Sequence, residues 1–404
     1  MRRLLCQSLL GLLCVLPLAA NSATPDPSQW DQVLDSARGQ TVYFDAWAGD
    51  PQINRFIAWA ADRTQSLYGV NVVHVKLSDT SEAVSRVLAE KLAGNTESGS
   101  VDLLWVNGEN FATLKQNDLL FGPWAEQLPN FPLVEADQHP EMREDFTIPV
   151  DGFESPWTRS QLIYYYDSEY LSSPPKSAAA LLAWAKDNPG QFTYPRPPEF
   201  LGSTFLKQVL LELVPDRAPL YSPLVSQDFA RITAPLWSYL DQLHPLLLRG
   251  GRNFPNSGTQ MRRMMGDGEI SLALSLSPAE ASAGIAAGEL PDSVRSFVPD
   301  AGSIGNVSFL AVPFNARAKA GAMVFANFLL SVEAQLQAYR PEVMGSTTVL
   351  SMGALRAEDR AAFSAVDVGP ATLSPEALGT TLREPHPDWM DALEREWVER
   401  YGAR

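Results

Sequence analysis

Residues 101–111 read VDLLWVNGENF, and the rest of the chain is interpreted outward from this stretch. Five of its first six residues are apolar, which is typical of a strand buried on both faces of a parallel sheet. Asn107 and Gly108 then interrupt the run, and a polar segment leads into a predicted helix. Such a turn lies at the carboxyl edge of the sheet, where open α/β sheets hold ligands and where free helix N–H groups bind acceptors. The alternative is that the turn side chains only cap the helix, and residues 101–111 alone do not decide between the two.

The composition indicates a globular protein of about two domains. The chain has 404 residues, of which 45% are hydrophobic and 19% charged. The formal net charge of −16 leaves no basic stripe that could neutralise phosphates, so no nucleic-acid partner is expected. This charge agrees with a cationic ligand, although acidic surfaces also serve solubility.

The first residues have the pattern of a secretory signal peptide. Arg2 and Arg3 precede an apolar run from position 4 to 18, and small residues follow at 19–23. This predicts a cleaved signal peptide at 1–23 and export to the periplasm of a Gram-negative cell. The run is too short to be a membrane anchor. Both cysteines, Cys6 and Cys14, lie inside this segment, so the mature chain is expected to contain no thiol.

The first half of the mature chain alternates predicted strands and helices. Strands are predicted at 41–47, 70–75 and 101–106, with a helix between 51 and 68 that begins after Asp50 and ends at Gly69. This order predicts a parallel sheet covered by helices. The turns that follow the first and third strands are expected to face the same crevice.

The second half predicts another α/β unit. The chain crosses into it near residue 152, and strands are predicted at 161–166, 191–194 and 268–274. Ser203 or Thr204 is the predicted N-cap of a helix in this unit. A strand at 308–313 is predicted to return to the first unit, and an amphipathic helix at 389–401 is predicted to end the chain.

Several segments in this order resemble the extracellular solute-binding proteins of bacterial ABC importers, in particular their YnjB-like branch. The matching segments are 101–111, LLFGPW at 119–124, ESPW at 154–157, GEI at 268–270, GSIGNVSF at 302–309, and KAGAM, NFLLS and EAQ between 319 and 335. The resemblance covers nearly the whole mature chain. It implies a type II periplasmic-binding-protein-like α/β fold with two lobes, each a mostly parallel sheet flanked by helices, joined by crossover strands.

The resemblance also implies a division of the chain. We expect lobe 1 at 24–155 and 305–340, lobe 2 at 156–304, and a helical C-terminal segment at 341–404 packed on both lobes. The ligand is expected in the cleft between the lobes, where loops that end strands in both lobes meet. The expected ligand-binding residues are Trp47, Gly49, Asn107, Gly108, Glu109, Glu154, Trp157, Phe200, Ser203, Thr204, Ser275 and Ser277.

Each of these residue types also has a purely structural interpretation. A tryptophan that could stack on a cation also packs in cores. Glu109 could neutralise a ligand cation, but a carboxylate is also favourable at a helix start. Ser203 and Thr204 could contact ligand or only cap a helix, and these alternatives stay open.

We found no pattern for a metal, a cofactor or an enzyme. The tyrosines at 164–166 resemble the paired tyrosines of ferric-binding relatives but lie within a predicted strand, and the four histidines are far apart. No cofactor and no catalytic residue are therefore expected.

The resemblance implies a periplasmic, monomeric protein that captures a small polar solute, with cations among the candidates, and delivers it to ABC permease subunits. Two alternatives remain: a secreted hydrolase that uses Glu109 and Glu154 as paired carboxylates, and a ligand-sensing interaction protein.

Overall fold

The computed structural model describes residues 25–402. The predicted signal peptide and both cysteines lie outside the described residues. Among residues 25–402, no helix has the length and apolar character needed to cross a bilayer.

The chain forms both helices and strands. The elements up to the crossover are α1 (Trp30–Ala37), β1 (Thr41–Trp47), α2 (Pro51–Tyr68), β2 (Asn71–Leu77), α3 (Ser81–Leu92), β3 (Leu103–Val106), α4 (Glu109–Gln116), β4 (Glu144–Asp145), β5 (Ile148–Pro149) and β6 (Glu154–Gln161). They are followed by β7 (Ile163–Asp167), α5 (Ala178–Asp187), α6 (Phe200–Leu213), α7 (Phe229–Leu243), α8 (Gly258–Gly266), β8 (Leu272–Ser275), α9 (Glu280–Ala286), β9 (Val294–Phe297) and β10 (Ser303–Ala311). The last elements are α10 (Lys319–Leu329), α11 (Val332–Tyr339), α12 (Ala357–Ser364), α13 (Pro375–Leu378), β11 (Thr381–Leu382) and α14 (Pro387–Tyr401).

The local signals around α2 act as predicted. The Asp50 carboxylate accepts hydrogen bonds from the N–H groups of Gln52 and Ile53, at 2.6 and 3.2 Å, and so caps the helix. Pro51 is the first helical residue, where its missing N–H costs nothing. Gly69 ends the helix with a φ of 70°, which glycine adopts without steric penalty.

The larger sheet has the order β11-β10-β3-β1-β2, and β6 pairs with β10 outside that path. β1 runs parallel to β2 and β3, as predicted. β10 runs antiparallel to both β3 and β6. Since β6 leaves this sheet and β10 returns to it, these two paired strands are the crossover strands.

The smaller sheet differs from the prediction of mostly parallel strands. Its order is β8-β7-β9, and β7 is antiparallel to both neighbours. The segment β8-α9-β9 forms a crossover unit with two strands that run the same way, and β7 enters between them directly from β6 in the opposite direction. The α/β class itself is confirmed.

Two local predictions in this half were wrong. Residues 191–194 form no strand, and Phe192 makes a single isolated bridge to Leu272. Helix α6 is capped by Glu199, whose carboxylate accepts from the Gly202 N–H at 3.0 Å, so Ser203 lies inside the helix. Thr204 is also inside the helix, and its hydroxyl donates back to the Phe200 carbonyl. A glutamate four residues earlier does the capping that the hydroxyl side chains were expected to do.

Two separate hydrophobic cores define two lobes. We call lobe 1 the residues packed around the core that contains Phe44, Trp157 and Phe325. We call lobe 2 those around the core that contains Phe205 and Trp397. The C-terminal segment contributes to both cores, with residues up to 363 in the first and residues from 371 in the second. The exact limits given above for the lobes remain a proposal.

Candidate ligand-binding site between the two lobes

The turn after β3 has a backbone that favours glycine. Gly108 has φ 61° and ψ −128°, and its N–H points at both carboxylate oxygens of Asp145, each 2.8 Å away. A Cβ added at Gly108 would lie 3.0 Å from the Phe146 ring. The positive φ and the close ring therefore disfavour a larger residue. This contact ties the turn to the short β4–β5 hairpin of lobe 1.

Glu109 follows at the first position of α4 with one carboxylate oxygen unused. Oε1 accepts a hydrogen bond from the Asn110 side-chain amide at 2.7 Å. Oε2 is buried and has no hydrogen-bond partner. Burial raises the pKa of Glu109 to about 8, and nearby Lys207 only partly opposes this. An unpartnered buried carboxylate oxygen is costly unless a donor or cation reaches it.

Two further carboxyl groups near Lys207 are also shifted towards the neutral form. Asp145 is fully buried, and desolvation raises its pKa well above the usual range. Glu394 of α14 accepts from the Ser203 hydroxyl at 2.6 Å, and burial raises its pKa to about 7. Asp145 interacts electrostatically with Glu109, Glu384 and Lys207. Glu394 interacts electrostatically with Lys207 and Asp391.

Lys207 of α6 supplies the positive charge at this junction. Its side chain is 1% exposed, and its Nζ lies 2.7 Å from Oε2 of Glu384. The same Nζ lies 4.6 Å from the centre of the Phe146 ring and 5.2 Å from that of Phe200. Phe146 belongs to the β4–β5 hairpin and Phe200 to α6, so the ammonium sits between aromatic rings of the two lobes.

The junction therefore has an excess of acidic groups. The carboxyl groups of Glu109, Asp145, Glu384 and Glu394 all interact with one ammonium group, that of Lys207. We call this set, with Lys207, Phe146 and Phe200, the junction cluster. Its chemistry fits a ligand that brings positive charge and hydrogen-bond donors.

Four of the predicted site residues lie in or beside the junction cluster. They are Gly108, Glu109, Phe200 and Ser203. Asn107 precedes Gly108 and is partly exposed. Thr204 is buried, and its hydroxyl donates within its own helix.

Two predicted residues of β6 lie in the protein interior. Trp157 is 0% exposed and packs in the core of lobe 1, stacked on Phe56 with ring centres 6.3 Å apart. Its ring is enclosed by protein, as the core-packing interpretation expects. Glu154 is 1% exposed, neither of its carboxylate oxygens has a hydrogen-bond partner, and burial raises its pKa well above normal.

The remaining predicted residues lie at the ends of β1 and β8. A Cβ at Gly49 would lie 2.1 Å from the Trp47 ring, so this ring covers the glycine. The Ser277 N–H donates to the Ser275 hydroxyl at 3.1 Å. The Ser277 hydroxyl donates to the Gly345 carbonyl at 3.3 Å. Among the described residues, no hydrogen bond, ion pair or ring contact joins these four to the junction cluster.

A second interlobe contact follows β1. Arg262 of α8 in lobe 2 lies 3.9 Å from the Asp50 carboxylate of lobe 1 and 2.8 Å from that of Glu280. The charged side chain is 8% exposed, so this pair is shielded from solvent. Lobe contact thus does not depend on the junction cluster alone.

Sequence reasoning missed the cluster members that lie outside the strand ends it had predicted. These are Asp145, Phe146, Lys207, Glu384 and Glu394. Lys207 had one usable signal, because it is the one cation within FLGSTFLKQVLLEL at 200–213, a mostly apolar helix. A charged residue in such a helix needs a buried partner.

Two surface hollows of the described chain lie elsewhere. One, of about 490 Å³, lies between α7 and α14, and the other, of about 260 Å³, lies beside Trp124. Within residues 25–402, no group of three or more His, Cys, Asp or Glu is arranged to hold a metal ion.

Comparisons with known proteins identify the family. The family model described as bacterial extracellular solute-binding protein matches residues 58–355. Protein YnjB of Escherichia coli (strain K12) is 45% identical over 398 residues, which cover 98% of this chain and 99% of YnjB.

Solved structures share the fold at low identity. The periplasmic binding protein AfuA from Actinobacillus pleuropneumoniae superposes with a TM-score of 0.61 at 14% identity, over 90% of this chain and 99% of AfuA. Apo ferric ion-binding protein A from Pasteurella haemolytica gives a TM-score of 0.59 at 12% identity, over 90% of this chain and 98% of that one. With two lobes, crossover strands and these relatives, the chain belongs to the bacterial extracellular solute-binding proteins, the substrate-binding components of ABC importers.

Proposed function

We propose that this protein captures a small cationic solute at the junction cluster and delivers it to an ABC permease. The observation that carries the proposal is the buried Oε2 of Glu109, which has no partner in a site with excess carboxyl groups. A solute ammonium group placed there would supply a donor and a counter-charge together. A charge-assisted hydrogen bond of this kind contributes about 1.5–3 kcal/mol.

The proposed mechanism is closure of the lobes about the two crossover strands. Glu109 belongs to lobe 1 and Glu394 to the α14 helix that packs on lobe 2. A cation held by both carboxyl groups binds the closed form better than the open form. Its binding therefore shifts the population towards closure, which is the only way a ligand can favour one state.

The ligands named for structural neighbours do not choose the solute. These neighbours include a putative spermidine/putrescine transporter from Listeria monocytogenes, a GABA receptor and a fructose-6-phosphate-bound protein, all under 25% identical to this chain. The preference for a cation rests on the junction cluster alone. Because carboxyl oxygens dominate that cluster, a phosphate ester is disfavoured.

Periplasmic location and the permease partner belong to the same proposal. The matching family is described as extracellular, and the predicted signal peptide would direct the chain through the inner membrane. The protein is proposed to act as a monomer, with the solute and the permease as its partners.

Thermal shift with a ligand panel tests the proposal. The panel contains putrescine, spermidine, agmatine, choline and γ-aminobutyrate. Fructose 6-phosphate is the anionic comparison, and glucose is the uncharged one. A ligand at 100 times its dissociation constant should add about 2.7 kcal/mol of stability. At least one amine should raise the melting temperature of the wild type but not of Glu109→Gln.

The matched control is Glu342→Gln, at an exposed glutamate of lobe 1. This variant should respond to the amine as the wild type does. No response to any amine, or an equal response in Glu109→Gln, would contradict the cation site.

A further inference from the structure

Lys207 has surroundings that are usually made for a ligand cation. Its ammonium lies 2.7 Å from the Glu384 carboxylate and within 5.2 Å of two phenylalanine ring centres. Met390 adds its sulfur at 3.7 Å. A carboxylate and aromatic faces around one nitrogen are the groups that bind cations. We call the four residues around the Lys207 ammonium the cation box: Glu384, Phe146, Phe200 and Met390.

The box is assembled from both lobes. Lys207 and Phe200 lie on α6 of lobe 2, and Glu384 follows β11, whose Leu382 packs in the lobe 2 core. Phe146 comes from the β4–β5 hairpin, which Gly108 of lobe 1 holds through Asp145. The lysine ammonium therefore contacts lobe 1 from lobe 2, as a bound solute would.

The site can accept a second ammonium group besides that of Lys207. Glu109 lies within electrostatic range of Lys207, and its buried Oε2 has no hydrogen-bond partner. The Lys207 ammonium is committed to Glu384 and does not reach that oxygen as a hydrogen-bond donor. A second ammonium group would satisfy Glu109 and compete with Lys207 for the rings.

We propose that Lys207 is a built-in substitute for the solute: its ammonium occupies the cation box of the ligand-free protein, holds the lobes together, and is displaced by the ammonium group of the solute. This rests on the proposed function and adds how the site is regulated. It also restricts the solute class to compact alkylammonium groups, because the box already fits an ammonium on an alkyl stem.

Lys207→Met tests the proposal, since it keeps the apolar stem and removes the charge. The distance between the lobes is measured as the efficiency of fluorescence resonance energy transfer, called transfer below. The two dyes are attached at Leu92→Cys in lobe 1 and Val225→Cys in lobe 2. These side chains are 81% and 95% exposed. Cys6→Ser and Cys14→Ser remove the only other thiols. Lys186→Met, at an exposed lysine of α5, is the matched control.

We expect ligand-free Lys207→Met to show lower transfer than the wild type, because the bridge between the lobes is lost. Addition of n-butylammonium should restore transfer in this variant. The half-maximal concentration of n-butylammonium, measured by thermal shift, should be at least ten-fold lower for this variant than for the wild type, in which the ligand must first displace Lys207. The uncharged n-butanol should have no such effect. Lys186→Met should follow the wild type in both measurements.

The outcomes separate the inference from the function it rests on. If an amine raises the melting temperature of the wild type and Lys207→Met needs the same or a higher concentration for this shift, only the role of Lys207 is refuted. If neither protein responds to n-butylammonium or to any amine of the panel, the cation site and the inference both fail.

A second variant covers the case in which Lys207→Met does not fold. Phe146→Leu removes the lobe 1 ring and leaves the pair between Lys207 and Glu384 in place. It should lower transfer in the ligand-free protein. Transfer equal to that of the wild type would overturn the inference.

Discussion

Replacement of Glu109 by glutamine should stabilise the ligand-free protein at neutral pH and leave its stability unchanged in acid. Burial raises the pKa of this carboxyl from 4.5 to about 8. The folded protein thus favours the protonated form of Glu109. The contribution of this protonation to the free energy of unfolding is fully present below pH 4.5 and is lost as the pH rises through about 8.

The size of the effect follows from that shift. Each pH unit between the unfolded pKa and the working pH costs about 1.4 kcal/mol, so Glu109 opposes folding by about 3 kcal/mol at pH 7. This is an upper limit, because opening of the lobes hydrates the carboxyl without unfolding the chain. Glutamine carries no charge at any of these pH values and is free of this cost.

Urea unfolding followed by tryptophan fluorescence measures the difference. Wild type, Glu109→Gln and the exposed control Glu342→Gln are compared at about pH 4 and about pH 7.5. The midpoint of Glu109→Gln should exceed that of the wild type only at the higher pH, and the control should match the wild type at both. A constant offset at both pH values, or a loss of stability at about pH 7.5, would refute the reasoning.

Three further predictions concern the junction and its neighbours. Binding of an amine at pH 7 should release about one proton from Glu109, seen by calorimetry in buffers of different ionisation enthalpy and absent in Glu109→Gln. Gly108→Ala should cost about 1–3 kcal/mol because φ is 61° and a ring lies 3.0 Å from the new Cβ. Gly94→Ala, at a φ of 76° with no atom within 4 Å of the added Cβ, should cost less stability. Thermal melts of both variants measure the difference. Arg262→Gln should cost ~3 kcal/mol by leaving a buried carboxylate unpaired, whereas its exposed neighbour Arg263→Gln should change stability by less than about 0.5 kcal/mol in urea.

Much of lobe 1 could be predicted because its signals are local. The apolar run before Asn107, the Asp50–Pro51 helix start and the Gly69 helix end each act within a few residues. Lobe 2 was harder to predict. The direction of β7 depends on the strands that later flank it, and the cap of α6 was decided by a competition between Glu199 and the hydroxyl side chains.

The sequence by itself determined the order of strands and helices in lobe 1 and the position of Gly108 and Glu109 at the edge of the sheet, and its resemblance to a known family implied the two-lobed fold. Periodicity and capping act between neighbours in the chain, so they can be read without coordinates. Only the tertiary structure decided that Trp157 is enclosed in a core and that Phe146, Lys207 and Glu384 share one site. Those contacts join residues that are far apart along the chain, and burial, which shifts the pKa of Glu109, exists only once the lobes have packed.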